Sequence, residues 1–229
     1  MTIKYFDMFA GIGGFCSGLE AIGGFECVGY SEIDKYAKQA YEAMYDTGAE
    51  LYFDDARNIV PEQLPDFDLI TGGFPCQSFS IAGARKGFDD TRGTLFFEIA
   101  RIVAVKKPKY IFLENVPGLL NHDKGRTFET ILNTLNMGSP KSIKLFGERR
   151  CSIVSEFLTA GGWKRVSTAC TDEGYDVCWQ ILNSKNFGVP QSLNRVFIIG
   201  YNRGQCAGEV LSFTQASGKA LIQRKANAR

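Results

Sequence analysis

Residues 3–34 read IKYFDMFAGIGGFCSGLEAIGGFECVGYSEID. Ile3 to Phe9 is a strand, AGIGG is a tight turn, Phe15 to Ile22 carries helical spacing, and Phe25 to Ser31 is a second strand. A strand, a turn, a helix and another strand in about 30 residues make a βαβ unit, which places the two strands parallel.

The alternation continues outward from this unit. EIDKYAKQAYEAMY (32–45) is predicted as a helix with Ile33, Tyr36, Ala37, Ala40 and Met44 on its apolar face. Short strands are expected at Leu51 to Asp54 and Asp68 to Thr71. GTLFFEIARIVAVKKPK (93–109) reads as a helix stopped at Pro108, followed by a strand from Tyr110 to Leu113 and a helix from Asp123 to Asn136. Val177 to Leu182 and Val196 to Tyr201 are strand-like. The implied class is α/β: a Rossmann-like, mostly parallel sheet with helices on both faces. Two regions do not fit. Residues 137–172 interrupt a passage that normally needs a short connection, and carry an amphipathic helix at Ile153 to Leu158. The tail from Asn202 is basic and has no strong pattern.

The chain has 229 residues, enough for one sizeable domain whose core needs no disulfides. Its net charge of +1 advertises no global affinity for nucleic acid, although a local basic patch is compatible with it. Seven cysteines (16, 27, 76, 151, 170, 178 and 206) form no C-x-x-C pair, and with His122 as the single histidine zinc-ligand spacing is missing. The N-terminus enters a strand without a charged-then-apolar leader, and no apolar run reaches membrane-spanning length. A reduced, soluble, cytoplasmic protein is expected.

Glycines between strand one and helix one allow a ligand to approach the backbone, and the helix N-terminus offers free N–H groups. The dinucleotide fingerprint fails, because after Gly11 and Gly13 the third glycine place holds Cys16. Glu32 and Asp34 follow the second strand, where an acid can bind ribose hydroxyls; the plainer reading is that Glu32 caps the next helix and Asp34 favours its first turn. Asp54 and Asp55 end the third strand at the same edge. Carboxylates repel phosphate, so a neutral or cationic nucleoside is the better ligand.

The fourth strand runs into Gly72-Gly73-Phe74-Pro75-Cys76, then into a polar Gln77-Ser78-Phe79-Ser80 run and a glycine- and charge-rich loop. Most free cysteines are small buried apolar groups, but a thiol in a shaped loop after a strand suits a nucleophile. Glu114, just after the fifth apolar strand and before Asn115 and Pro117, is placed to be protonated or paired by burial and to act as a general acid; the plainer role is bonding loop amides.

These residues resemble the DNA (cytosine-5)-methyltransferases of bacterial restriction-modification systems. The resemblance is carried by DMFAGIGGFCSGLE, SEIDKYA, GGFPCQSFSIAGARKGFDDTRGTLFFEIARI, PKYIFLENVPGLL and NFGVPQSLNRVFIIGY, in the family's order. It implies an S-adenosyl-L-methionine (AdoMet) domain over 1–202 that needs no metal and methylates C5 of a flipped cytosine in double-stranded DNA. Cys76 would be the nucleophile, Glu114 would engage the cytosine ring, and Arg195 would hold the base. Phe9 would pack on adenine, Glu32 would hold the ribose, Asp55 would meet the adenine amine, and Gly11 and Gly13 would face the methionine portion. Gln77, Ser80 and Arg85 would contact DNA.

The pattern is broken in three places. The family's Q-x-R-x-R reads Gln191-Ser192-Leu193-Asn194-Arg195, with Leu193 replacing the first arginine. Residues 137–172 resemble an insertion, and 203–229 resembles the truncated start of a missing recognition region. Four readings follow: a DNA cytosine methyltransferase domain complete in its catalytic residues whose recognition part comes from a second subunit, a truncated or inactive AdoMet-binding remnant, an RNA cytosine methyltransferase of the same fold, and, opposed by the broken glycine fingerprint, a nicotinamide dehydrogenase.

Overall fold

The computed structural model describes residues 2–75, 95–136, 156–158, 162–166, 174–204, 212–214 and 221–223. Strand β1 (Ile3–Met8) is buried from Tyr5 to Met8 on both faces, as a parallel strand between two neighbours must be. It pairs in parallel with β2 (Phe25–Ser31) and with β4 (Leu69–Gly73). β3 (Leu51–Phe53) adds outside β2, and β5 (Tyr110–Asn115) adds outside β4, both parallel. Beyond β5 the pairing becomes antiparallel through β9 (Asn194–Asn202), β8 (Tyr175–Asn183), β7 (Lys164–Val166) and β6 (Glu156–Leu158). The sheet order is β3-β2-β1-β4-β5-β9-β8-β7-β6, in which β9 and β7 run against the other strands.

Helices cover both faces. On one, α3 (Leu95–Lys106) and α4 (Arg126–Asn136) drive Phe96, Ile99, Val103, Ile131 and Leu135 against Phe6, Ile70, Ile111, Leu113 and Ile198. Burying each such side chain stabilises the fold by about 1.5–3 kcal/mol. The other face carries α1 (Gly14–Ile22), whose Leu19 packs with Tyr5 and Leu69, and α2 (Lys35–Met44). There Tyr110, Phe112 and Phe197 are only partly covered.

The α/β class, the parallel half of the sheet and the order of elements agree with expectation; several details differ. The α2 stripe was expected at Ile33, Tyr36 and Met44, yet these are exposed and Tyr41 is the buried residue, stacked on Tyr30 of β2 with ring centroids 4.3 Å apart. The aromatic docking site on β2 sets the rotation of α2, and Ile33 precedes the helix. Helix α3 ends at Lys106 because Lys107 turns left-handed (φ 47°) before Pro108 is reached. Helix α4 begins at Arg126, because Asp123 and Lys124 also take left-handed conformations. The helix expected at Ile153 to Leu158 is overturned over 156–158, which form β6; 153–155 lie outside the described residues. The tail contains an antiparallel pair, β10 (Ser212–Thr214) with β11 (Leu221–Gln223).

Register decides where the chemistry meets. Met8 lies beside Ser31 and Gly72, Ser31 beside Phe53, and Gly73 beside Glu114. The segments following β1 to β5 therefore leave the sheet along one edge.

Candidate active site

The loop after β1 is built on positive backbone angles. Phe9 and Gly11 have φ 57° and Gly13 φ 89°. The Ala10 amide donates to the Ser31 carbonyl at 3.0 Å, tying the loop to β2, and the Gly13 amide donates to the Ala10 carbonyl at 2.9 Å. The two glycines serve different ends. A side chain at residue 13 would overlap the ring of Tyr45, whereas nothing lies within 4 Å of where one would stand at Gly11. One glycine admits a tyrosine; the other leaves open space.

Glu32 anchors the loop. One carboxylate oxygen accepts the Gly11 amide at 2.8 Å and the other the Asp34 amide at 2.7 Å. Asp34, not Glu32, caps α2, accepting the Tyr36 and Ala37 amides, each at 2.8 Å. Asp55 caps the turn at Ala56–Asn58 and takes a bidentate guanidinium contact from Arg57, which holds its carboxyl below the usual range.

Asp7 on β1 was not among the residues expected from the sequence. It is fully buried on β1 and accepts the Thr71 hydroxyl at 2.6 Å, while its second oxygen has no hydrogen-bond partner among the described residues. Burial pushes its carboxyl up to about 7; the Thr71 hydrogen bond opposes this, and the charges of Glu50 and Glu32 add to it. The available signal was a carboxylate between the apolar Phe6 and Met8.

At β5 the arrangement changes from acid and amide to acid and base. Glu114 Oε1 lies 2.7 Å from Arg195 Nε on the neighbouring β9. Burial raises the Glu114 carboxyl and Arg195 draws it back, leaving it above its ordinary value. Gly73 lets this carboxylate lie close: a side chain there would stand 3.1 Å from Glu114 Oε2. Next to it, Asn115 donates its amide to the Phe74 carbonyl at 2.7 Å. Leu193 is exposed, and its backbone amide and carbonyl are both bonded to Ser184.

Phe9, Gly11, Gly13, Glu32 and Asp55 thus lie along the edge after β1 to β3, with Glu114 and Arg195 further along it. Cys76, Gln77, Ser80 and Arg85 lie outside the described residues; Phe74 and Pro75 lead into them. Among the described residues no His, Cys, Asp and Glu group could hold a metal ion, and no helix is long and apolar enough to cross a membrane.

The family model for the C-5 cytosine-specific DNA methylase matches residues 3–138 and 160–225. The chain is 42% identical over 199 residues to the orphan methyltransferase M.SPRI of Bacillus phage SPR, covering 86% of this chain and 37% of that protein. It is 41% identical over 202 residues to the type II methyltransferase M.HpaII of Haemophilus parainfluenzae, covering 87% and 46%. The same holds at 37% identity for the type II methyltransferase M.HhaI of Haemophilus parahaemolyticus, covering 86% and 48%. The chain therefore spans less than half the length of these three relatives. Among solved structures, S. pombe Dnmt2 methyltransferase superposes with a TM-score of 0.56 at 17% identity, covering 88% of this chain and 50% of that one. That likeness speaks for the fold. With most of its length matched by the family model, the chain belongs to the C-5 cytosine-specific DNA methylase family.

Proposed function

We propose that the chain forms the catalytic half of a DNA (cytosine-5)-methyltransferase, taking a methyl group from AdoMet and placing it on C5 of a cytosine turned out of duplex DNA. The observation that carries this reading is the half-buried Glu114 carboxyl, ion-paired to Arg195 beside the strand end that leads to Cys76.

The edge after β1 to β3 fits AdoMet. Gly11 leaves space against the backbone, and Glu32 retains lone pairs for ribose hydroxyls. Phe9 would pack on the adenine, Asp55 would accept its amine, and Gly13 would keep the loop in shape. Bound AdoMet supplies an electrophilic methyl group.

The residues of the chain supply the rest. Cys76, as thiolate, adds to C6 of the extruded base, forming an S–C6 bond and moving ring electrons toward C5 and N3. Glu114 holds N3 and the exocyclic amine, stabilising that charge, and Arg195 fixes the carboxyl and the base. Once C5 carries the methyl group, its proton leaves to a base and the Cys76 thiolate is expelled, restoring the aromatic ring. Gln77, Ser80 and Arg85 contact the DNA.

Duplex DNA containing 5-fluorocytosine in many sequence contexts tests this, because fluorine at C5 blocks the last proton loss. With AdoMet, the chain should become covalently attached through Cys76 and shift on a denaturing gel. Cys76→Ser should form no adduct and still bind AdoMet; turnover by that variant would sink the assignment.

A further inference from the structure

We infer that Tyr52 is a positioning residue: its hydroxyl holds the Glu32 backbone, and so fixes where the Glu32 carboxylate stands for a ribose. The inference deepens the AdoMet reading and rests on it for the ligand.

The register of β2 with β3 ends at Ser31 opposite Phe53. One residue on, the Glu32 amide donates to the Phe53 carbonyl at 3.1 Å, and the Glu32 carbonyl accepts the Tyr52 hydroxyl at 3.0 Å. Two adjacent residues of β3 thus hold both backbone polar groups of Glu32. From that fixed backbone the carboxylate reaches the Gly11 and Asp34 amides at 2.8 and 2.7 Å. The phenol is itself restrained. Its ring lies against Tyr30, with centroids 5.2 Å apart, and the Lys38 ammonium of α2 stands 4.5 Å from its centroid, a cation–π contact. Lys38 is in turn paired with Glu42 at 2.5 Å, and Glu42 accepts the Tyr30 hydroxyl at 3.1 Å. Residues of α2, β2 and β3 therefore converge on one hydroxyl.

Tyr52 is 38% exposed, so it is no core residue, and the loss of its hydroxyl leaves no buried group unpaired on its own side chain. Phenylalanine keeps the ring, the Tyr30 contact and the cation, and removes only the bond to Glu32. The Glu32 backbone is then tied on one side instead of two, and its carboxylate loses its fixed origin. A ribose meets a carboxylate through its hydroxyls alone. Loosening Glu32 therefore weakens a nucleoside that carries those hydroxyls and spares one that lacks them, whereas a general loosening of the fold weakens both alike.

The experiment uses the full chain as wild type, Tyr52→Phe and Asp34→Ala, the last as a control that loosens α2 and leaves the Glu32 backbone bonds in place. Amide hydrogen exchange is followed residue by residue by NMR without ligand, with urea unfolding in parallel. In Tyr52→Phe the Gly11 and Asp34 amides should exchange about fivefold faster than in wild type, the equivalent of one lost hydrogen bond. The Ala10 and Gly13 amides, which donate to the Ser31 and Ala10 carbonyls, should keep their rates. In Asp34→Ala the Gly11 amide should keep its rate as well. Calorimetry with S-adenosylhomocysteine and with its 2′,3′-dideoxy form supplies the second readout. Tyr52→Phe should bind the first about fivefold more weakly than wild type and the second equally well. Wild-type exchange at Gly11 and Asp34, or an equal loss of affinity for the two compounds, would overturn the positioning role. If the wild type binds neither compound while the exchange pattern holds, the AdoMet reading fails and the hold of Tyr52 on Glu32 stands.

Discussion

The hydroxyl of Tyr45 donates to the Gly13 carbonyl at 2.9 Å, and its ring occupies the volume that any side chain at residue 13 would need. Gly13→Ala therefore meets both a left-handed φ and a ring, and should destabilise the protein by about 2 kcal/mol. Gly11→Ala meets open space and should cost about 1 kcal/mol through φ alone. Its added methyl projects where the cofactor is proposed to lie, so AdoMet affinity should fall by about tenfold or more. Urea unfolding and calorimetric AdoMet titration of the two variants separate the effects; identical behaviour would refute the division of roles.

Glu32 spends one oxygen on the loop and one on the start of α2. Glu32→Ala should loosen both and weaken AdoMet binding, whereas Asp34→Ala removes only the α2 cap and should cost about 1 kcal/mol of stability at unchanged affinity. An AdoMet titration of Glu32→Ala that matches wild type would confine Glu32 to loop anchoring.

Burial raises the Glu114 carboxyl, and the Arg195 charge and hydrogen bond oppose it. Removing the arginine leaves burial unopposed, so in Arg195→Leu the Glu114 carboxyl should rise further. If protonated Glu114 is the competent form, the wild type loses activity as pH climbs through that value, and the variant should keep its residual activity to a higher pH. Single-turnover rates across pH check this; an unmoved limb would show that Arg195 does not govern the titration of Glu114.

Asp7 gives a stability signature of definite sign. In the unfolded chain its carboxyl ionises near the ordinary value of about 3.9, while in the folded protein it keeps its proton to about 7. Between those values the folded state holds the extra proton, so this group makes stability fall as pH rises, by at most about 1.4 kcal/mol per pH unit. Above about 7 the loss is complete. Asp7→Asn should remove that slope, so that the stability of the variant relative to wild type grows from pH 4 to pH 7. Parallel urea-midpoint profiles for the two proteins would contradict the burial effect.

Much of this fold is legible because its first half is regular. The predicted β2 coincides with the observed strand, and β1 and β3 are each one residue shorter than expected, since apolar runs between glycine turns have few alternatives. β6, β7, β10 and β11 were missed because three-residue strands are too short to show a period. The α2 face was misread because helical spacing names several candidate stripes, and only the Tyr30 ring on β2 selects Tyr41. In the site, Glu114 and Arg195 could be named from their motifs, but not the 2.7 Å contact that joins them. The Tyr45–Gly13 and Asn115–Phe74 contacts depend on packing between residues far apart in sequence, which motif spacing does not encode.

The join between β5 and β9 has a kinetic consequence. Asn115 pairs with Val196, so closing this seam gathers a loop of about 80 residues. The glycine loop, by contrast, forms between β1 and β2, neighbours along the chain. Contacts of such different span form at different rates, with the local one first. The edge at the glycine loop can therefore take shape before the Glu114–Arg195 pair exists. The stretch 139–159, which the family model leaves unmatched, falls inside the long loop. Lengthening a loop of that size by about 20 residues adds only about 0.3 kcal/mol of closure entropy. Chain length can change there almost without thermodynamic consequence, while the seam must keep a single register.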